Sequence, residues 1–168
     1  IFLSDRKQRF MVLFDEAWLA LDSFPEMLAG LARTMRKYNG SLVLATQSLS
    51  DFYHSDSAVS VLENSAWLGV LKQKRESIDM LAKSGKLSIS QGQIDLIHSL
   101  ETRAGAYSEI LLSSSSGYVV GRLILEPFSR ILYSTKPDEF AAVKRLIAQG
   151  VEASQAVDIV AKDIYGDK

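Results

Sequence analysis

Short, unbroken apolar runs alternate along this chain with longer stretches whose apolar positions recur three and four residues apart. Phe10-Met11-Val12-Leu13-Phe14 is such a run and stops at two acids, as a buried central strand of a parallel sheet would. Leu42-Val43-Leu44-Ala45-Thr46 and Ala66-Trp67-Leu68-Gly69-Val70-Leu71 have the same form and predict a second and a third strand. Between the first two, Ser23 with Glu26 three residues on reads as a capping box, and Pro25 falls in the first turn, where its missing N–H is harmless. Leu28, Leu31 and Met35 mark the apolar face of that helix, and Gly40 is placed to end it. Further helices are expected over 56–65, 75–83 and 90–98, with Ser88 or Ser90 as caps.

Past residue 100 the pattern changes. Residues 107–112, a serine-rich turn at 113–117 and residues 118–125 predict a β-hairpin, and 128–133 reads as one more strand. From Pro137 two helices break near Gly150, with Phe140, Val143 and Ile147, then Val157, Val160 and Ile164, on their apolar faces. Strands alternating with helices predict an α/β layer architecture.

Composition adds mostly exclusions. A chain of 168 residues, 47% hydrophobic, can bury one full-sized core. Its net charge of −1 gives no whole-chain electrostatic case for gripping nucleic acid or an anionic membrane. The absence of cysteine excludes disulfides, thiolate metal sites and a cysteine nucleophile. No apolar run reaches the roughly 18 residues a membrane-spanning helix needs. In Ile1-Phe2-Leu3-Ser4-Asp5-Arg6-Lys7 the charges follow a very short apolar segment, unlike a signal peptide, and the chain is expected to continue a longer protein.

The candidate chemistry sits at the strand ends. An apolar strand ending in Asp15-Glu16 is a Walker B pattern. The strand delivers Asp15 to the carboxyl edge of the sheet, where ligands bind in open α/β folds and where its carboxylate can hold Mg²⁺ against nucleotide phosphates. The adjacent Glu16 can act as general base toward the attacking water. Gln47 ends the next strand, where a neutral amide can sense a phosphate or orient that water, or simply begin a polar loop. On the intervening helix Arg33, Arg36 and Lys37 share a face pointing away from Leu28, Leu31 and Met35. They form either a solvated basic face or, through Arg33 or Arg36, an arginine finger for a neighbouring subunit's nucleotide.

These residues carry a resemblance. Phe14-Asp15-Glu16-Ala17-Trp18, the segment Leu31-Ala32-Arg33-Thr34-Met35-Arg36-Lys37-Tyr38-Asn39-Gly40, and Leu42-Val43-Leu44-Ala45-Thr46-Gln47-Ser48 resemble the TraC-like conjugative-transfer ATPases. These belong to the large ATPase family of type IV secretion systems, related more distantly to the HerA and FtsK motors. The specific match spans residues 10–53, and a looser one in element order extends to about residue 135. The resemblance implies a RecA-like parallel sheet flanked by helices, a P-loop NTPase fold whose Walker A part is not in this chain, with a β-hairpin and C-terminal helices. Residues 1–135 would be the C-terminal part of the ATPase domain, and 136–168 a helical extension packed on it.

By family pattern Asp15 and Glu16 are the Walker B pair, with Asp15 the metal ligand. Gln47 is the strand-tip sensor touching nucleotide, and Arg33 or Arg36 the finger. The activity implied is ATP hydrolysis with Mg²⁺ by a cytoplasmic, inner-membrane-associated oligomer, often a hexamer, serving pilus assembly and DNA transfer. Its partners would be further subunits and the inner-membrane components of the secretion system. The alternatives are a DNA-pumping HerA or FtsK-type motor and a non-catalytic interaction module.

The departure from the family is the missing phosphate loop. Ser84-Gly85-Lys86-Leu87-Ser88 lacks the upstream glycine and the Ser/Thr after lysine, and it follows the acidic strand instead of preceding it. This chain by itself is therefore expected to hold no ATP and to turn none over. His54 and His98 read as surface or satisfied core positions, and Lys72, Lys74 and Arg75 as a solvated strand end. Arg122 and Arg130 fall in strand-like runs as buried pairs or edge residues, and Trp18, Trp67, Tyr107 and Tyr118 read as packing residues.

Overall fold

A computed structural model describes residues 8–84 and 90–166. The Gly85-Lys86 decoy and the candidate cap Ser88 lie outside the described residues. The chain forms two compact units, residues 1–100 with 110–121, and residues 101–109 with 122–168.

In the first unit β1 (Phe10–Phe14) and β2 (Gly40–Leu44) pair in parallel, with Phe10 opposite Gly40 and Phe14 opposite Leu44. The crossover between them holds α1 (Trp18–Ser23), α2 (Pro25–Thr34) and a 3-10 turn at Met35–Tyr38. The expected capping box at Ser23 does not form. Ser23 is the last residue of α1, and Phe24, without a side-chain hydrogen bond, precedes α2 at the N-cap. Nor does Gly40 end the helix. Asn39 takes the left-handed conformation there, at φ 56°, a role asparagine fills because its short polar side chain tolerates that region. Gly40 instead opens β2, where a Cβ would come within 2.6 Å of the Phe10 ring.

Within this segment neither parallel strand is covered on both faces, as the expected central position would require. Phe10, Val12 and Phe14 turn inward, whereas Met11 and Leu13 are 67% and 62% exposed. An unbroken apolar run does not distinguish a strand covered twice from one covered once.

After β2 come α3 (Asp56–Glu63), capped by Ser55, and β3 (Trp67–Leu71). Next are α4 (Arg75–Lys83) and α5 (Gln91–Ser99), the latter opened by a Ser90–Gln93 capping box. The third strand does not extend the parallel pair; β3 runs antiparallel to residues 110–114 of β5 (Tyr107–Ser114). Its partner returns through the expected hairpin as β6 (Gly117–Leu123). Leu28, Ala58, Val61, Ile78 and Leu100 form the fully buried centre, and α2 packs on α3. Truncating Leu28 to alanine would cost about 2–5 kcal/mol.

In the second unit β4 (Thr102–Arg103) pairs antiparallel with residues 107–108. The segment expected as a strand at 128–133 is helix α6 (Pro127–Leu132). Pro127 presets the first helical φ, and the Glu126 carboxylate accepts the N–H of Phe128 at 2.7 Å and of Ser129 at 2.8 Å. Helices α7 (Pro137–Ala148) and α8 (Ala153–Tyr165) follow as expected. Ile131, Val157, Val160 and Ala161 make this unit's core; Phe140, Ile147 and Ile164 lie on exposed faces, not in it.

Buried Glu139 accepts from Lys136 Nζ at 2.6 Å and from the Tyr165 hydroxyl at 2.9 Å, tying α7 to α8. Burial pushes its carboxyl up, but hydrogen bonds from Lys136, Ser134 and Tyr165 outweigh this and hold it below the ordinary glutamate value. Arg122 lies on β6, its guanidinium 4.0 Å above the Tyr107 ring and 2.7 Å from Glu109 Oε1, the arginine half exposed and the glutamate largely covered. Arg130 lies on α6, and its Nε donates to the Leu125 carbonyl at 3.0 Å. No described helix is long and apolar enough to cross a membrane.

Candidate functional site

Because β1 and β2 are parallel and in register, the residues just past each strand emerge side by side at the carboxyl edge. The main chain continues the pairing beyond the strands. Ala45 N–H donates to the Phe14 carbonyl at 2.9 Å, and the Ala45 carbonyl accepts from Ala17 N–H at 2.8 Å. Asp15 and Glu16 are thus a two-residue turn clamped at both ends by one residue of the neighbouring segment.

That turn requires an unusual backbone. Glu16 has φ 53°, the left-handed region, where a residue with a Cβ is held at a cost on the order of 1 kcal/mol. The Asp15 carboxylate meets part of it by accepting Glu16 N–H through Oδ1 at 3.0 Å. Ala17, fully buried, then anchors the start of α1.

The Glu16 carboxylate is held by two neutral donors. Gln47 Nε2 lies 2.9 Å from Oε1 and 3.1 Å from Oε2, and Trp18 Nε1 donates to Oε2 at 3.0 Å. Gln47 is placed by the loop after β2. There the Thr46 hydroxyl donates to the Asp51 carboxylate, and Ser48 caps the 3-10 turn Leu49–Tyr53. Asp15, Glu16 and Gln47 are all exposed at this edge.

The cations are arranged differently from the sequence expectation. Arg33, Arg36 and Lys37 do not share one regular helix, because α2 ends at Thr34 and the chain tightens into the 3-10 turn. Arg33 Nη2 donates to the Ser60 hydroxyl of α3 at 2.7 Å, whereas Arg36 and Lys37 make no side-chain hydrogen bond or ion pair among the described residues. Lys72, Lys74 and Arg75 are exposed past β3. His98 Nε2 stands 3.3 Å from Asp79 Oδ1, and His54 Nε2 3.9 Å from Asp51 Oδ1. Among the described residues no three His, Asp or Glu side chains converge as a metal cage.

Trp18 was expected to pack. It is instead 44% exposed and bonded to Glu16, a contact two positions apart that no periodicity marks. Trp67 and Tyr118 are likewise largely exposed, and Tyr107 lies under two guanidinium groups.

The sequence pattern of the TraG P-loop domain matches residues 3–164. The chain belongs to the TraG P-loop domain family. It is similar to Protein TraC of Escherichia coli strain K12, at 27% identity over 170 residues, which cover 94% of this chain and 19% of TraC. It is also similar to the solved structure of VirB4 of Thermoanaerobacter pseudethanolicus, with a TM-score of 0.54 and 26% identity over 74% of this chain and 33% of VirB4. The chain therefore spans about a fifth of TraC and a third of the VirB4 chain. The TraG P-loop assignment and the VirB4 likeness together give the fold as RecA-like, with β1 and β2 as adjacent parallel strands of its sheet.

Proposed function

We propose that this TraG P-loop segment carries the acid-and-amide half of the ATP-hydrolysing centre of a type IV secretion or conjugation motor. The observation that carries the reading is the contact of Gln47 Nε2 with both oxygens of Glu16 at the carboxyl edge of two parallel strands. A carboxylate and a neutral amide side by side at such an edge suit water activation beside a terminal phosphate. Glu16 is the general base. Gln47 orients the water through the amide proton it does not spend on Glu16.

Asp15 has one oxygen engaged by Glu16 N–H and the other without a partner among the described residues. One exposed carboxylate fits Mg²⁺, which keeps several waters and takes its other ligands from substrate phosphates. Bound there, the ion would neutralise phosphate charge. Asp15 would be its protein ligand.

Between the two candidate fingers, Arg36 suits a contact to another subunit better, since Arg33 is already engaged by Ser60 of its own chain. Residues 1–135 belong to the motor domain and 136–168 to a helical extension. The assembled motor works at the cytoplasmic face of the inner membrane, held there by secretion components. Within these 168 residues no Gly-Lys-Ser/Thr loop cradles phosphate, so the segment alone hydrolyses no ATP.

The deciding experiment is Glu16→Gln in the full-length protein. Loss of hydrolysis with nucleotide binding retained is the expected result. Unchanged hydrolysis and unchanged substrate transfer would instead make this segment a docking module.

A further inference from the structure

We propose that Trp18 is a positioning residue for Glu16, its indole N–H fixing which carboxylate oxygen receives the proton of the attacking water. The inference rests on Glu16 being the general base, and it adds a role for a residue outside the acid pair.

The first support is that Trp18 stands outside the buried core of its unit. On α1 the buried anchor is Leu21, reinforced by Ala17 just before the helix, while Trp18 and Leu19 are 44% and 54% exposed. The polar edge of this indole donates to Glu16 Oε2 at 3.0 Å.

The second support is an accounting of the carboxylate. An ionised carboxylate offers about four acceptor positions, two on each oxygen. Oε2 accepts from both Trp18 and Gln47, so its positions are filled; Oε1 accepts from Gln47 alone and keeps one. Oε1 is therefore the oxygen open to water. Neither donor titrates in the working range, so both hold the carboxylate without competing for its proton.

The third support separates the two donors. If Gln47 turns toward a water or a phosphate, its hold on Glu16 weakens at the moment of reaction. Trp18 has one N–H, already given to Glu16, and no second donor with which to serve a water or phosphate as well. Its backbone is also the first residue of α1, directly after buried Ala17, whose N–H is bonded to the Ala45 carbonyl. Trp18 is the donor that stays.

The test replaces Trp18 in the full-length protein by Phe, and separately by benzothienylalanine, an isostere carrying sulfur in place of N–H. The expected result for both is a fall in kcat of about tenfold, the worth of one charge-assisted hydrogen bond. KM for ATP should stay within about twofold, since substrate binding does not involve the indole. The thermal midpoint of the isostere should match the parent. An isostere with parental kcat, or one whose loss is confined to KM, would overturn the proposal, and it decides the matter if the Phe variant folds poorly. Glu16→Gln is run alongside: if it leaves turnover intact, the general-base reading fails first. If it abolishes turnover while the isostere is fully active, only the role of Trp18 fails.

Discussion

Gln47 Nε2 stands 2.9 Å from one oxygen of Glu16 and 3.1 Å from the other, so a single amide proton bridges the whole carboxylate. The two residues are 31 positions apart in sequence, and only the parallel register of β1 and β2 brings them together. An amide that can either restrain the base or turn toward a phosphate has two uses in one place. Removing it tests both.

Gln47→Ala in the full-length protein is expected to lower ATP turnover by about 10²-fold, the range seen when a single preorganised donor is removed from a reacting centre. Nucleotide affinity should fall by much less than turnover does. Steady-state hydrolysis and equilibrium nucleotide binding, measured on the same preparation, check this; a loss in affinity with kcat preserved would count against it.

The left-handed backbone at Glu16 gives a stability prediction that needs no catalysis. Glu16→Gly and Glu16→Ala both delete the carboxylate, so their difference isolates the backbone. The glycine variant should be the more stable by about 1 kcal/mol, because alanine keeps the Cβ that the positive φ disfavours. Urea unfolding midpoints decide it, and equal midpoints would mean the turn relaxes.

Arg33 and Arg36 should separate by assay. Arg33→Ala breaks the bond to Ser60 and should reduce stability by about 0.5–1.5 kcal/mol. Arg36→Ala loses no described contact and should stay within about 0.5 kcal/mol of the parent, yet cut hydrolysis by the assembled protein more than Arg33→Ala does. Unfolding curves set beside turnover of the oligomer would expose a reversed order.

In the second unit, Glu139 makes the helical pair pH-dependent. Its folded carboxyl is held below the ordinary value, so the stability it contributes is present above its unfolded pKa and is lost as pH falls through the folded one. Glu139→Gln should therefore lower the thermal midpoint at neutral pH, with the gap from the parent closing on the acid side of the glutamate range. A gap that persists once the pH has fallen through the folded carboxyl's range would point to packing alone.

How much of this was legible in the sequence depends on what each signal encodes. The unbroken runs at 10–14 and 42–46 locate β1 and β2 because few other elements concentrate so much apolar surface in five residues, and the acid pair and Gln47 follow from their ends. Ser90 with Gln93 caps α5, the serine hydroxyl accepting Gln93 N–H while the Gln93 side chain reaches back to Ser90 N–H. Ser23 with Glu26 has the same spacing and fails, since α1 already occupies Ser23. The stretch at 128–133 mixes aromatic and β-branched residues, but Pro127 and the Glu126 carboxylate determine a helix. Exposure of Met11 and Leu13 is not encoded locally at all, because it depends on what stacks against the sheet. Nor could the indole bond be read from the chain, as it depends on the backbone of the residue it serves.

Ala45 has no functional group, yet its two main-chain bonds reach Phe14 on one side of the acids and Ala17 on the other. A loop fastened at both of its feet opens only by breaking both main-chain bonds. A molecule arriving at this rim therefore meets side chains that can rotate over a floor the main chain holds, and the reach of any response is that of a side chain.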